Sequence, residues 1–360
     1  MDSMNTFSPE ISFADKNYHN YLQGLKLHWK NKIYASVVEK ASLLDQSSPE
    51  ALELEMRKVP EYRLYGWLER HLQQLKYLGR HGMLPVMEAQ SKTLTNALDA
   101  AANIHPQRLQ LDPNLVLPKY YTLSDFHQHP GGIWSDDMDA FAYEWGANAF
   151  SFSMTAADRP YRWMAEYLLQ RFNPTSIVDL GCGFGKLCIP VKQISESVEV
   201  TGVDLSAPLL RLAHLRSIEA GLDIRYIQAN AEQTPLPPKN FEAVVSYWLL
   251  HELPLEAIRN VLKESMRLLK PGGIVANFDM HTTPGGVIGK FLHMGHAARN
   301  NEPFLPGLIE TNIRTVLSEA GFVDIEIIEA ITGESANHDL APVDRTRTHT
   351  FTVVIGRKPA

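Results

Sequence analysis

A run of buried-type residues, Ser176-Ile177-Val178-Asp179-Leu180, opens directly into Gly181, Gly183 and Gly185. This junction of strand and glycine loop constrains the fold more than any other feature of the chain. A loop that leaves a buried strand and enters a helix brings backbone N–H groups to a ligand, and glycine lets that ligand approach because it lacks a Cβ. Phosphates, nucleosides and amino-acid carboxylates all use such loops, and spacing separates them. Dinucleotide loops run G-x-G-x-x-G. Here position 186 is Lys, so the third glycine falls one residue early, and Leu187 after Lys186 rules out a G-K-[ST] phosphate loop.

Beyond residues 155–175 the pattern alternates between strand and helix. Strands are expected at 176–180, 198–204, 224–228, 241–247, 273–280, 323–330 and 350–355, with helices after Ser206-Ala207-Pro208, over 254–269 and over 312–320. Strands separated by helices imply a parallel sheet with helices on both faces. The last two strands have no helix between them and read as a final hairpin. The expected class is therefore α/β, a doubly wound seven-stranded sheet, mostly parallel with the last strand antiparallel, joined to an α-helical N-terminal region. Pro190 predicts that the first helix of the core kinks or starts late, since an interior proline costs about 3 kcal/mol.

Before that point the chain reads as helices and long loops. Helices are expected over 33–44, from Ser48-Pro49-Glu50 (cap, proline at the first helical position, acid in the first turn), over 61–78 and over 84–102. Leu64, Leu68, Leu72 and Leu75 form a stripe read as core or as a dimer face, which keeps a homodimer in view. Residues 105–150, rich in Pro, Gly, His and aromatics, are expected to be ordered but irregular. The division drawn is 1–154 as a helical lid region and 155–360 as a core, with an insertion at 285–310 helping to form a pocket.

The run Val178-Asp179-Leu180-Gly181-Cys182-Gly183-Phe184-Gly185 resembles the first motif of class I S-adenosylmethionine-dependent methyltransferases. The resemblance covers roughly residues 155–357, because further pieces follow in that family's order. Val203-Asp204-Leu205-Ser206 ends the second strand, Gln228-Ala229-Asn230-Ala231-Glu232 follows the third, Phe241-Glu242-Ala243-Val244-Val245 resembles the fourth-strand motif, and Leu269-Lys270-Pro271-Gly272-Gly273 resembles the turn before the fifth. The resemblance implies S-adenosylmethionine as cofactor. Gly181 and Gly183 would pack on its methionine portion, Asp179 would orient its amino group, and Asp204 with Leu205 would hold the ribose. Ala231 would offer its N–H to adenine, beside Asn230 in place of the more usual Asp. Ser246, after the fourth strand, completes the cofactor set.

Ligands in open parallel sheets lie beyond the carboxyl ends of the strands. Methyl transfer to a hydroxyl or ammonium needs a base, commonly His near neutral pH. His281 after the fifth strand is the first candidate. His251, beside Glu252 after the fourth strand, and Tyr143, in the aromatic segment with Trp145 and Asn148, are the others. His127 and His129 resemble a spaced metal pair, but no cysteine or third ligand stands near, so no metal is expected. His293 and His296 share a helix face and read as core or surface.

A net charge of −7 with scattered Lys and Arg gives no basic face, so nucleic acid is not an expected partner. The two cysteines, Cys182 and Cys188, make neither a disulfide framework nor a zinc site. No apolar run approaches the roughly 20 residues that cross a membrane, and no leader is evident, so a cytoplasmic location is expected. The expected reaction is methyl transfer to a small-molecule acceptor (O, N or C undetermined), in secondary metabolism. Two rivals stand beside it: intramolecular cyclisation of the cofactor, releasing methylthioadenosine, and a non-catalytic cofactor-binding partner subunit.

Overall fold

The computed structural model describes residues 7–150, 159–281, 286–330, 340–341 and 351–360. Outside the described residues fall the boundary drawn at 154/155, Phe152 of the aromatic segment, position 285 of the insertion, and Thr350 at the start of the last expected strand.

Helix α1 (Phe13–His28) starts at a capping box in which Ser12 Oγ accepts from the Asp15 N–H and the Asp15 carboxylate accepts from the Ser12 N–H, both at 3.2 Å. It passes through a π-helical turn (Trp29–Ile33) into α2 (Tyr34–Ser42). Before residue 33 no helix is marked in the sequence, because α1 buries little more than His19 and Leu22 and so carries a weak apolar period. Ser48 caps α3 (Pro49–Met56) as expected, accepting from the Ala51 N–H at 3.1 Å. In α4 (Pro60–Tyr77) the inward face is Tyr62, Tyr65, Glu69, Leu72 and Lys76. Leu64 and Leu75 of the expected stripe are exposed. Leu72 is in the core and Leu68 packs against it, while the rest of the inward face includes charged residues that find partners there.

The helix expected over 84–102 is two, α5 (Met83–Glu88) and α6 (Ser91–Ala102), divided at Gln90, whose φ/ψ of −122°/18° is not helical. A two-residue strand β1 (Leu109–Gln110) follows. Residues 137–150, expected to be irregular, form α7 (Asp137–Phe150). Its start is set by local acid–backbone bonds: Asp136 Oδ1 accepts from the Met138 N–H at 2.7 Å and Asp139 Oδ2 from the Asp136 N–H at 3.0 Å. The signal was hidden because α7 packs apolar residues around most of its circumference and so shows no clean stripe.

The core then runs α8 (Arg159–Phe172), β2 (Ser176–Leu180), α9 (Cys188–Ile194), β3 (Glu199–Asp204), α10 (Ala207–Glu219), β4 (Arg225–Gln228), β5 (Phe241–Tyr247), α11 (Leu255–Leu268) and β6 (Leu269–Asp279). It continues through α12 (Gly286–Asn300), α13 (Leu305–Glu310), α14 (Ile313–Glu319), β7 (Val323–Ala330), β8 (Leu340–Ala341) and β9 (Phe351–Arg357). α9 starts late and places Pro190 in its first turn, where the missing N–H costs nothing.

The sheet order is β1-β4-β3-β2-β5-β6-β9-β7-β8. The seven expected strands are its body. Two additional strands of two residues each extend the edges, too short to leave a period-two signature. β2 pairs in parallel with both β3 and β5, whereas β9 inserts antiparallel between β6 and β7. The chain therefore winds one way from β2 to β4 and the other way from β5 onward, and the crevice at the carboxyl ends of β2 and β5 is the topological switch point.

Alternation along β2 serves both faces. Ile177 joins a cluster with Met164, Leu168, Val200 and Val245, while Val178 and Leu180 join Val244, Ile258, Val261 and Leu317. Each such fully buried side chain contributes about 1.5–3 kcal/mol. The N-terminal helices form their own cluster, which continues onto Leu209 and Leu212 of α10. Arg216 of α10 pins α7 by a two-pronged pair with Glu144, at 2.7 and 2.5 Å. α12 packs among the N-terminal helices, with His296 Nδ1 2.7 Å from Glu69 Oε1 and Arg299 also on the Glu69 carboxylate. No described helix is long and apolar enough to cross a membrane.

Candidate functional site

At the switch point an open cavity runs between the glycine loop and the N-terminal region. One wall is Asp179, Gly181, Gly183, Asp204, Leu205 and Asn230. Gly181, Gly183 and Gly185 all lie in the left-handed region, with φ of 73°, 53° and 84°. Near Gly183 a Cβ would meet nothing closer than Leu209 Cδ1 at 4.0 Å, so this part of the loop faces open space.

Asp204 is a brace as well as a wall residue. Its Oδ2 accepts from the Gly183 N–H at 2.8 Å and its Oδ1 from the Ser206 N–H at 2.9 Å. Burial raises its pKa, and the N–H bonds from Ser206, Gly183 and Leu205 partly offset that rise. Asp179 has an unmet need. Its Oδ2 accepts from Cys188 Sγ at 3.4 Å, but its buried Oδ1 has no partner among the described residues. Burial lifts its pKa to about 8, with the charge of Asp204 adding to the rise. A buried carboxylate with an orphan oxygen in a cavity wall suits a cationic ligand group, as an ammonium beside it would restore the ordinary charged state.

The adenine end differs in detail from the sequence reading. Asn230 Oδ1 accepts from the Glu232 N–H at 2.9 Å, and its amide lies 3.2 Å from Glu232 Oε1. Tyr120 Oη donates to the same Glu232 oxygen at 2.6 Å. Ala231 lines the cavity. Ser246 does not: it is buried and donates to Asn277 Oδ1 at 2.7 Å.

The opposite wall is aromatic: Tyr121, Phe126, Trp134, Tyr143, Tyr247 and Trp248. Tyr121, Phe126 and Trp134 come from residues 120–134, a segment with no regular period. It is tied down where Ser206 Oγ, the cap of α10, donates to the Ile133 carbonyl at 2.6 Å. Lys186 Nζ lies 4.9 Å from the Tyr161 ring centre. Burial, then the charges of Glu252 and Asp204, pushes the Tyr143 phenol far above its ordinary value, so the phenol stays protonated.

Of the two candidate histidines, one is in the cavity. His281 is absent from the wall. It is buried, its Nε2 lies 3.4 Å from the Asn277 carbonyl, and burial lowers its pKa. His251 lines the cavity with Glu252 and His127. Its Nδ1 lies 2.8 Å from Asp279 Oδ1, and its backbone N–H donates to Asp279 Oδ2 at 3.2 Å. Its Nε2 is 3.2 Å from Glu252 Oε1. The same Glu252 oxygen is 2.8 Å from His127 Nε2, and His127 Nδ1 is 3.0 Å from Glu302 Oε1. Burial opposes charge on both imidazoles, but the carboxylates prevail. Asp279 and Glu252 hold His251 well above the ordinary value, and Glu252 and Glu302 lift His127 to about 9.

His127 and His129 part company. His129 is fully buried, 3.0 Å from Asp139 Oδ1 and packed on Tyr77. His293 is likewise buried, its Nδ1 2.8 Å from the Gly289 carbonyl. Sequence reasoning missed Glu302 and the meeting of His127 with His251. Nothing local signals either, because the partners lie on separate stretches of chain.

A sequence profile described as a methyltransferase domain matches residues 177–273. A demethylmenaquinone methyltransferase of Thermus thermophilus is 31% identical over 157 residues, covering 43% of this chain and 69% of that protein. A ubiquinone biosynthesis O-methyltransferase of Serratia proteamaculans is 34% identical over 114 residues, covering 30% of this chain and 45% of that one. Of the latter relative the chain thus spans less than half the length. Among solved structures, phosphoethanolamine N-methyltransferase 2 of Haemonchus contortus in complex with S-adenosyl-L-methionine superposes with a TM-score of 0.47 at 20% identity, over 69% of this chain and 62% of that one. The glycine loop, the switch-point cavity and the similarity to the Thermus enzyme agree, and the chain belongs to the class I S-adenosylmethionine-dependent methyltransferases.

Proposed function

We propose that this enzyme methylates a hydroxyl of a small aromatic acceptor. The observation that carries the reading is the wall facing the glycine loop: aromatic rings surround one polar cluster, His127, His251 and Glu252. Flat apolar ligands pack well on such rings, and a few convergent polar groups fix their orientation. Relatives named for quinone methylation support an aromatic acceptor.

Bound here, S-adenosylmethionine would supply an electrophilic methyl group, and an acceptor hydroxyl would have to give up its proton to a base or to water as it attacks. The chain's own residues do the rest. Asp179 takes the amino group and Asp204 the ribose, with Leu205, Asn230 and Ala231 around the base. His251 is the proposed residue at the acceptor oxygen, oriented by Asp279. Asp279 and Glu252 fix its ring, so that it can hydrogen-bond the acceptor oxygen. Tyr143 donates a second hydrogen bond. His281 and Ser246 take no direct part, being outside the wall.

The insertion at 285–310 contributes through Glu302, which positions His127. The cyclisation rival is decided by which product is released. A homodimer through the exposed Leu64 and Leu75 face of α4 is also proposed, to be read from sedimentation of the purified chain. The decisive assay incubates the enzyme with S-adenosylmethionine and a panel of phenols, hydroquinones, amines and carboxylic acids. Formation of S-adenosylhomocysteine with phenolic acceptors is the expected outcome. Methylthioadenosine as the product, or turnover confined to amines, refutes the reading.

A further inference from the structure

We propose that His127, His251 and Glu252 form a binding site for one divalent transition-metal ion in the acceptor end of the cavity. The proposal rests on the methyl-transfer reading for its consequence, since the ion would hold the acceptor's oxygen, but not for its geometry. One ligand atom from each residue lies within 4.8 Å of the other two, and both imidazole Nε2 atoms approach a single oxygen, Glu252 Oε1, at 2.8 and 3.2 Å. Ligands about 2.0–2.2 Å from a metal stand roughly 3.0–3.5 Å from one another, so small side-chain adjustments suffice.

Three further observations favour an ion over a plain charge network. Each imidazole has its far nitrogen on its own buried carboxylate, His251 Nδ1 on Asp279 and His127 Nδ1 on Glu302. Such outer carboxylates fix tautomer and ring direction in metal-ligating histidines. Glu252 Oε2 has no hydrogen-bond partner among the described residues, although both imidazoles stand beside its other oxygen. Finally, His127 and Gln128 both hold φ above 50°, a left-handed conformation that costs a non-glycine residue about 1–2 kcal/mol. The strain delivers His127 to the cavity between Glu252 and Glu302.

Two imidazoles and one carboxylate suit zinc, iron(II) or manganese, and three protein ligands leave positions open toward the cavity. An acceptor with adjacent oxygens, a catechol or an ortho-hydroxy carbonyl compound, would fill them. The site thereby narrows the acceptor class from phenols to chelating phenols.

The test uses the full chain, stripped with a chelator and dialysed against zinc chloride alone, with metal measured by elemental analysis. Cobalt(II) substitution adds a visible absorption spectrum. The variants are Glu252→Gln, which keeps shape, and His127→Asn, since Asn tolerates the left-handed backbone. Binding of S-adenosylhomocysteine, measured separately by calorimetry, shows that each protein is folded and tests the cofactor reading by itself. Expected are about one zinc per chain in the parent and a loss of affinity of about tenfold or more in both variants, with S-adenosylhomocysteine still bound. Absence of retained zinc in the parent, or equal retention in the variants, overturns the metal site and leaves the methyltransferase reading standing.

Discussion

Replacing Asp204 separates two jobs that this residue performs at once. It faces the cavity as the proposed ribose ligand, and it braces the glycine loop through the Gly183 and Ser206 N–H groups at 2.8 and 2.9 Å. Asp204→Ala removes the acceptor of both N–H groups. Hydrogen bonds to a charged group contribute about 1.5–3 kcal/mol each, so about 3–6 kcal/mol is at stake before water refills the space. With an unfolding entropy of about 2.1 cal/mol/K per residue, a 360-residue chain loses about 1.3 °C per kcal/mol, giving a fall in Tm of about 4–8 °C. Asp204→Asn keeps one acceptor oxygen, so about half that fall is expected. Both variants lose the charge that would accept from the ribose, about 1.5–3 kcal/mol, or about 10–150-fold in Kd for S-adenosylhomocysteine. The assay pairs thermal unfolding with calorimetric binding. Unchanged affinity in Asp204→Asn refutes the ribose role, and an unchanged Tm in Asp204→Ala refutes the brace.

The glycine loop supports a second contrast. Gly185→Ala would place its Cβ 2.7 Å from Tyr226 Oη at a φ of 84° and should cost about 2–4 kcal/mol in urea unfolding. Gly183→Ala meets nothing within 4.0 Å but Leu209 Cδ1, so it should cost only about 1–2 kcal/mol of strain yet weaken cofactor binding about tenfold. If Gly183→Ala binds S-adenosylhomocysteine normally, the loop does not face the ligand as described. Asp179, at about 8, is largely protonated at pH 7 in the free protein. Binding of a cationic cofactor should therefore release close to one proton, read from calorimetry in buffers of different ionisation enthalpy, and zero release contradicts its role. His19 is buried against Trp145, and burial lowers its pKa to about 4, below the roughly 6.5 of an unfolded chain. The unfolded state then binds the extra proton between those values, so the stabilisation is complete above pH 6.5 and is lost as pH falls toward 4. Stability should drop by about 2 kcal/mol from this residue between pH 7 and 5. A His19→Gln variant with the same pH dependence as the parent would refute that assignment.

Much of the core was legible because its determinants are local. Short apolar runs, the Ser206 and Ser48 caps, Pro190 in a first turn, and glycines at left-handed positions act over a few residues, and the body of the sheet and the glycine loop follow from them. Asp179, Gly181, Gly183 and Asp204 were legible for the same reason, each being fixed by its place at the end of a strand. The N-terminal region was less so. α7 is apolar around most of its surface, and the inward face of α4 includes Glu69 and Lys76, which belong in a core only because His296 and Arg299 meet Glu69 from α12 and Lys76 packs over the Tyr77 ring. The tertiary structure alone chose between the histidines. His281 and His251 both follow core strands, but one turns toward Asn277 and the other, held by Asp279, toward the cavity. Only folding brings His127, Glu252 and Glu302 together. Charges separated along the chain have no way to register their pairing in a linear pattern, and the chemistry offered to an acceptor depends on that pairing.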